Sequence, residues 1–358
     1  MVYFRLWKGV MQMSKYYDGT KLLSLKDRNG QVPEIFMVTS NRNAGKTTYF
    51  GRLLVNRFLK RGEKFCLLYR FNYELDDCAT SFFKNLREIF FPDMEMVSEK
   101  MARGVYHVLK LDGIPCGYAI ALNNADQIKR KSSLFTDVSS MLFDEFQSET
   151  NHYCADEVKK FISIHTSIAR GNGKQVRYVP VYMLSNTVTL LNPYYVEMGV
   201  CDILDAETNF LRGDGYVIEQ GYNESASEAQ KLSAFNRAFA GNAYVAYAAE
   251  KVYLKDSSAF VEKPKGKFRY ICTLKYMGHD FGIREFPDLG IIHCSPVVDL
   301  KNPTRICVTT EDHDVNYVML KRSDFLLMNL RWFFEKGCFR FADLKSKQCV
   351  LQALCYNK

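Results

Sequence analysis

The chain has 358 residues, 47% of them apolar and 25% charged, and 48 Lys and Arg against 40 Asp and Glu give a formal net charge of +8. That length exceeds one ordinary hydrophobic core and implies two domains, and the composition excludes a disordered or low-complexity chain. No apolar run approaches a membrane span, and Arg5 and Lys8 interrupt the N-terminal stretch where a secretion signal would be apolar, so a soluble intracellular protein with no membrane partner is expected. The eleven cysteines, an odd number without C-x-x-C pairs or metal-ligand spacing to histidine, are expected to be reduced thiols.

In chain order, the apolar run Ile35 to Val38 predicts a strand feeding a polar loop, and the loop opens a helix through Gly45, Lys46 and Thr47. The stretch from Glu34 to Thr48, EIFMVTSNRNAGKTT, is nearly the P-loop pattern G-x-x-x-x-G-K-[ST], with Ser40 in place of the first glycine. In such a loop the backbone N–H groups of Ser40, Asn41, Arg42, Asn43, Ala44 and Gly45, continuing to Thr48, wrap the phosphates of a nucleotide. Lys46 reaches the β- and γ-phosphates, and the Thr47 hydroxyl holds Mg²⁺. Arg42 is a candidate either for phosphate contact or for holding the loop. A serine at position 40 can make the turn with a negative φ, so altered affinity rather than lost binding is expected.

Phe50, Leu53, Leu54, Phe58 and Leu59 continue a helix from Thr47 to Arg61, stopped by Gly62. A strand over Lys64 to Arg70, a helix over Ala79 to Phe91, and a hairpin over Val105 to Leu122 turning at Asp112–Gly113 follow. The basic run Lys129-Arg130-Lys131 is a candidate for DNA or subunit contact, or a solvated face. Val138 to Phe146, VSSMLFDEF, predicts a buried strand beside the P-loop strand, ending in Asp144 and Glu145. Such a strand supplies an acid for the Mg²⁺ shell, and the adjacent acid can polarise the attacking water. These residues point to nucleotide hydrolysis. ATP is favoured because no N/T-K-x-D base-reading motif occurs.

A helix over Ala155 to Arg170 stops at Gly171-Asn-Gly173, and a strand over Arg177 to Ser185 ends in Ser185–Asn186, where polar groups could sense the γ-phosphate. Small and polar residues dominate from Ala206 to Glu250, with helix-like segments at Ser225 to Phe239 and Ala243 to Glu250. A basic loop, Lys263 to Lys267, precedes four strand-like runs, and helical material closes the chain from Ser323 to Tyr356. Residues 251–358 hold 18 Lys and Arg against 12 Asp and Glu, a basic balance suited to DNA or RNA.

Four pieces together resemble the DNA-encapsidation motor ATPases of small protein-primed podophages, relatives of terminase large subunits: the P-loop, the strand ending in Asp144–Glu145, LSNTV (Leu184 to Val188) followed by NPYY (Asn192 to Tyr195), and FCLLYRFNYEL (Phe65 to Leu75). The resemblance implies an α/β fold: an ASCE-type P-loop ATPase motor over residues 1–205, a helical linker over 206–255, and an RNase H-like domain over 256–358. It assigns ATP and Mg²⁺ as cofactors, with Lys46 and Thr47 on phosphate and metal, Asp144 on the metal shell, Glu145 as water activator, and Ser185–Asn186 coupling nucleotide state to movement. Arg170 resembles a finger acting on a neighbouring subunit; a cation satisfying the helix C-terminus is the other reading. A pentameric ring on the portal of an empty procapsid is implied, in the host cytoplasm and absent from the mature virion. Double-stranded DNA, the portal and a packaging RNA are its implied partners.

A terminase-type nuclease would need clustered carboxylates holding two metals. The first strand-like run of the last third, Phe268 to Met277, has no Asp or Glu; Asp280 falls in the following turn, and Asp299, Glu311, Asp312 and Asp314 fall at strand ends or loops. A degenerate nuclease fold is therefore expected, with Lys263, Lys265, Lys267 and Arg269 contacting nucleic acid. A nuclease-active terminase and a non-motor nucleotide switch remain the alternatives.

Overall fold

The parallel strand that delivers the P-loop sits inside a nine-stranded sheet. In this computed structural model the described residues are 16–150, 152–154, 156–171, 173–190, 192–200, 203–204, 208–239, 242–249, 259–321 and 324–356. The chain divides into two units, one comprising Met1–Val188 with Ala206–Leu254, the other Thr189–Asp205 with Lys255–Lys358.

The first unit runs α1 (Thr20–Ser24), β1 (Ile35–Ser40), α2 (Lys46–Arg61), β2 (Lys64–Tyr69), α3 (Glu74–Phe90), β3 (Met96–Met101), β4 (Tyr106–Leu111), β5 (Ile114–Ala121), α4 (Ala125–Arg130), β6 (Val138–Asp144), α5 (Glu157–Ile168) and β7 (Val181–Asn186). The short helix α6 (Pro193–Glu197) belongs to the second unit, and the chain then returns to the first as β8 (Phe210–Arg212), β9 (Tyr216–Gln220), α7 (Glu224–Leu232), α8 (Ala234–Ala238) and α9 (Ala243–Ala249). The strand order is β3-β4-β5-β2-β6-β7-β1-β9-β8. The six strands from β5 to β9 pair parallel with their neighbours, and antiparallel strands close both edges.

The parallel strands carry buried apolar runs because helices cover them. Residues Met37 and Val38 of β1, Phe65 and Cys66 of β2, and Met141 and Phe143 of β6 are fully buried. The apolar face of α2 (Phe50, Leu54, Val55) and that of α3 (Leu75, Ala79, Phe83) form one core with Val38 and Phe65. Each such side chain contributes about 1.5–3 kcal/mol of burial. A Cβ on Gly51 of α2 would lie 2.9 Å from the Phe82 ring, so glycine there lets α2 and α3 approach closely.

Four expectations need correction. The acid-bearing strand is not beside the P-loop strand, since β7 lies between β6 and β1. The expected helical linker over 206–255 carries two sheet strands: β9 pairs in parallel with β1, Ile35 opposite Tyr216, and β8 pairs with β9. The helices that follow are three short ones, with Ser233 separating α7 from α8. The hairpin stands where expected, its turn made by Asp112 (φ 48) and Gly113 (φ 77).

In the second unit, β10 (Arg269–Tyr276), β11 (His279–Phe286) and β12 (Ile291–Ser295) form an antiparallel meander. Then come β13 (Arg305–Cys307), α10 (Phe325–Glu335), β14 (Phe339–Phe341) and α11 (Leu344–Leu351). β13 pairs in parallel with β10, and β14 pairs in parallel with β12 at the opposite edge. The third correction is therefore β14, which interrupts the expected C-terminal helical run after Gly337 (φ 73) ends α10. Asp280 also lies in β11, opposite Lys275, rather than in the turn.

Candidate nucleotide site

β1 stays extended through Ser40, which pairs with Asn186 of β7. Ser40 is not among the left-handed residues; in the P-loop those are Asn43 (φ 58) and Gly45 (φ 91), the N-cap of α2. The left-handed turns therefore fall at Asn43 and Gly45, and the loop does not require glycine at position 40. The Ser40 hydroxyl accepts from Lys46 Nζ at 2.8 Å. Lys46 also donates to the carbonyls of Ser40 and Asn41 at 3.4 and 3.3 Å, and to Asn186 Oδ1 at 3.4 Å. Burial lowers the Lys46 amine to about 8, against the attraction of Asp144 and Glu145.

Thr47, on the first turn of α2, donates from Oγ1 to Asp144 Oδ2 at 2.7 Å. Burial raises the Asp144 carboxyl above its ordinary range, with the Thr47 hydrogen bond and Lys46 opposing. Glu145 follows in a left-handed conformation, φ 56, and its N–H donates to Asp144 Oδ1 at 3.0 Å. Its carboxyl, on the open side of the site, is raised by partial burial and by Asp144 and Glu149, and lowered by Arg42 and Arg70. Ser185 is buried at the end of β7, one residue before Asn186. Ala44 is buried, its carbonyl accepting from the Tyr17 N–H, and Thr48 follows Thr47 on α2.

The set that converges here is Ser40, Lys46, Thr47, Asp144, Glu145 and Asn186. The hydroxyl and carboxylate oxygens of Thr47 and Asp144 are hard donors, the chemistry that Mg²⁺ prefers. Between β1 and α2 the loop offers consecutive backbone N–H groups at a helix N-terminus, which favours anionic phosphate.

The tip of the loop is tied to the segment after β9, a connection the sequence did not reveal. Asn41 accepts from the Asn223 N–H at 2.9 Å and donates to the Asn223 carbonyl at 3.1 Å, and Asn223 caps α7. Arg42 pairs with Glu149 at 3.1 Å and donates to the Tyr244 hydroxyl, while Tyr247 donates to Glu149 at 2.7 Å. Of the two readings for Arg42, holding the loop is what these contacts describe.

Arg170 is exposed just past α5, its Nη2 donating to Ser132 Oγ at 2.8 Å. The helix-capping part belongs instead to Arg177, whose Nη2 donates to the Ile168 carbonyl at 2.7 Å. Lys129 and Arg130 are exposed on α4, and Lys131 is half-buried. Lys263, Lys265 and Lys267 are exposed ahead of β10, whereas Arg269 pairs with Glu285 at 2.6 Å.

The sequence profile described as Podovirus DNA encapsidation protein (Gp16) matches residues 11–356. The DNA packaging protein of Bacillus phage phi29 is 27% identical over 335 residues, covering 92% of this chain and 94% of the relative. That of Bacillus phage B103 is 23% identical over 310 residues, covering 85% and 91%. A chain of the bacteriophage Phi-29 viral genome packaging motor assembly has the same fold, with a TM-score of 0.56 and 24% identity over 92% of this chain and 95% of that one. A chain of the Phi-28 gp11 DNA packaging motor gives a TM-score of 0.60 at 18% identity over 96% and 99%. With the profile spanning nearly the whole chain and its P-loop and acid pair meeting in one site, this protein belongs to the podovirus DNA encapsidation family.

Proposed function

We propose that this chain hydrolyses ATP at the P-loop, with Mg²⁺ held by Thr47 and Asp144, and uses the released free energy to drive double-stranded DNA into a procapsid. The observation carrying this reading is the 2.7 Å hydrogen bond from Thr47 to Asp144, which joins the two halves of the site across 97 residues. Lys46 and the loop N–H groups bind and orient the phosphates, and Glu145 takes a proton from the attacking water. The chemistry Mg²⁺ supplies there is neutralisation of charge developing on phosphate oxygens. Asn186, within reach of Lys46 at the end of β7, couples the γ-phosphate to the sheet. The relatives from phages phi29 and B103 are named DNA packaging proteins, which supports the DNA substrate.

The chain acts as a ring, a pentamer by family resemblance, on the procapsid portal, with a packaging RNA as a further partner. Arg170 completes a neighbour's site; its exposure and its place outside its own P-loop suit that part. The second unit binds nucleic acid through Lys263, Lys265 and Lys267 rather than cutting it. Three of its acids are engaged internally: Asp312 accepts from the Met277 and Gly278 N–H groups, Asp314 pairs with Lys275 at 2.8 Å, and Asp280 accepts through Oδ2 from the Tyr317 hydroxyl. Its meander with a parallel strand beside β10 supports an RNase H-like reading, from which β14 on the far edge departs.

Steady-state ATPase activity with and without double-stranded DNA, over a range of protein concentrations, tests the motor. DNA stimulation, a faster-than-linear rise with concentration and loss in Arg170→Ala support it. Linear activity indifferent to DNA and to Arg170 favours the nucleotide switch.

A further inference from the structure

Glu145 adopts a left-handed backbone, φ 56, a conformation that a non-glycine residue keeps only where its surroundings impose it. Something must hold the peptides on either side. Phe146 N–H donates to the Leu184 carbonyl at 3.1 Å, continuing the ladder towards β7. On the other side of the chain, Arg70 Nη2 donates to the carbonyls of Glu145 and Phe146 at 3.2 and 2.9 Å.

Arg70 is itself rigidly placed. It is 7% exposed just past β2, and its Nε donates to both oxygens of Glu157, at 3.0 and 2.8 Å. Its guanidinium lies over the rings of Phe143 and Tyr153 at 5.6 and 5.0 Å. Its own N–H and that of Phe71 both donate to Glu74 Oε2, at 2.8 and 2.9 Å. Glu157 in turn accepts from the Cys154 N–H at 2.9 Å, at the start of α5. A planar fork that reaches a buried carboxylate and two successive carbonyls at once is a geometry lysine cannot reproduce.

We infer that Arg70 is a positioning residue for hydrolysis, fixing the backbone that aims the Glu145 carboxylate at the water. The inference rests on the reading of Glu145 as water activator. Arg70 acts through the two carbonyls. Removing it leaves phosphate binding by the P-loop intact and lets the acid drift, so kcat falls while KM stays.

The test is single-turnover and steady-state ATPase kinetics on the full chain, with Lys46→Ala as reference. Truncating Arg70 alone would strand Glu157 as a buried charge, so the main variant is Arg70→Met/Glu157→Met, which removes both partners. The expected result is a fall in kcat of about a hundredfold with KM for Mg·ATP changed by less than about threefold. The Kd for a non-hydrolysable ATP analogue and the thermal midpoint should stay close to wild type. Arg70→Lys, which keeps the charge and one contact, should fall between the two. If the double variant is folded and turns over at the wild-type kcat, the inference is overturned. If it does not fold, Arg70→Lys decides, and wild-type kcat there overturns it. If wild type is no faster than Lys46→Ala, the hydrolysis reading itself falls, and this inference with it.

Discussion

Replacing Lys46 with methionine should abolish hydrolysis while stabilising the nucleotide-free protein. Lys46 is 6% exposed, and burial lowers its amine from 10.5 to about 8. At about 1.36 kcal/mol per pKa unit, that fall means the buried charge destabilises the fold by about 3 kcal/mol at neutral pH. Methionine fills similar space without charge. Against this, Ser40 Oγ loses a donor at 2.8 Å and the Ser40 and Asn41 carbonyls lose weaker ones at 3.4 and 3.3 Å, an offset of about 1 kcal/mol. The net gain of about 2 kcal/mol corresponds to about 4–8 °C in the melting midpoint of a unit this size. The sign with pH follows from the depressed folded-state value: between about 8 and 10.5 the unfolded chain binds more protons than the folded one. Wild-type stability therefore rises relative to Lys46→Met across that window, and the gap closes. Thermal unfolding from pH 7 to 10.5, with and without an ATP analogue, reads this out; the analogue should raise the wild-type midpoint only. A variant less stable than wild type at pH 7, or a gap that does not change with pH, would refute the reasoning.

Three further outcomes are expected. Asn41→Ala removes two hydrogen bonds to the backbone of Asn223 and should loosen α7–α9 by about 2 kcal/mol, visible as faster amide exchange and protease cleavage within residues 224–249. Gly117→Ala places a Cβ 2.2 Å from the Phe65 carbonyl in the middle of the sheet. The backbone of β2 cannot yield, and expression should give insoluble protein or a melting midpoint at least about 5 °C lower. Changing Lys263, Lys265 and Lys267 together to Ala should lower the slope of log affinity for DNA against log salt by up to about 3. An unchanged slope would place DNA binding elsewhere.

The clustering of the candidate site was legible because phosphate and metal chemistry call for particular residue types at fixed spacing: Lys46 and Thr47 after Gly45, the Asp144–Glu145 pair, and Asn186 at a polar strand end do meet in the fold. What was not legible depends on pairing across distance. β9 has the length of an ordinary turn segment, and nothing local says that it continues the sheet beside β1. β14 spans three residues, too few for a period to declare itself, and β3 shows no apolar alternation because its edge position leaves most of it accessible. Arg70 sat inside a quoted motif without a role; its meaning needs Glu157, 87 residues away. Arg170 and Arg177 likewise exchange the capping part that helix-end position alone assigns to the former.

The same two contacts, taken with α5, make a braced frame. β6 and α5 run as its long sides. At one corner Arg70 bolts Glu157 to the peptides after Asp144. At the opposite corner Arg177 spans the Ile168 carbonyl and that of Val138, the first residue of β6. Twelve residues of α5 make a strut about 18 Å long. A strut pinned at both ends does not bend to absorb a displacement; it passes it on. The frame ties the peptides beside Glu145 to the far end of α5, where Arg170 lies exposed with its Nη2 on Ser132 Oγ.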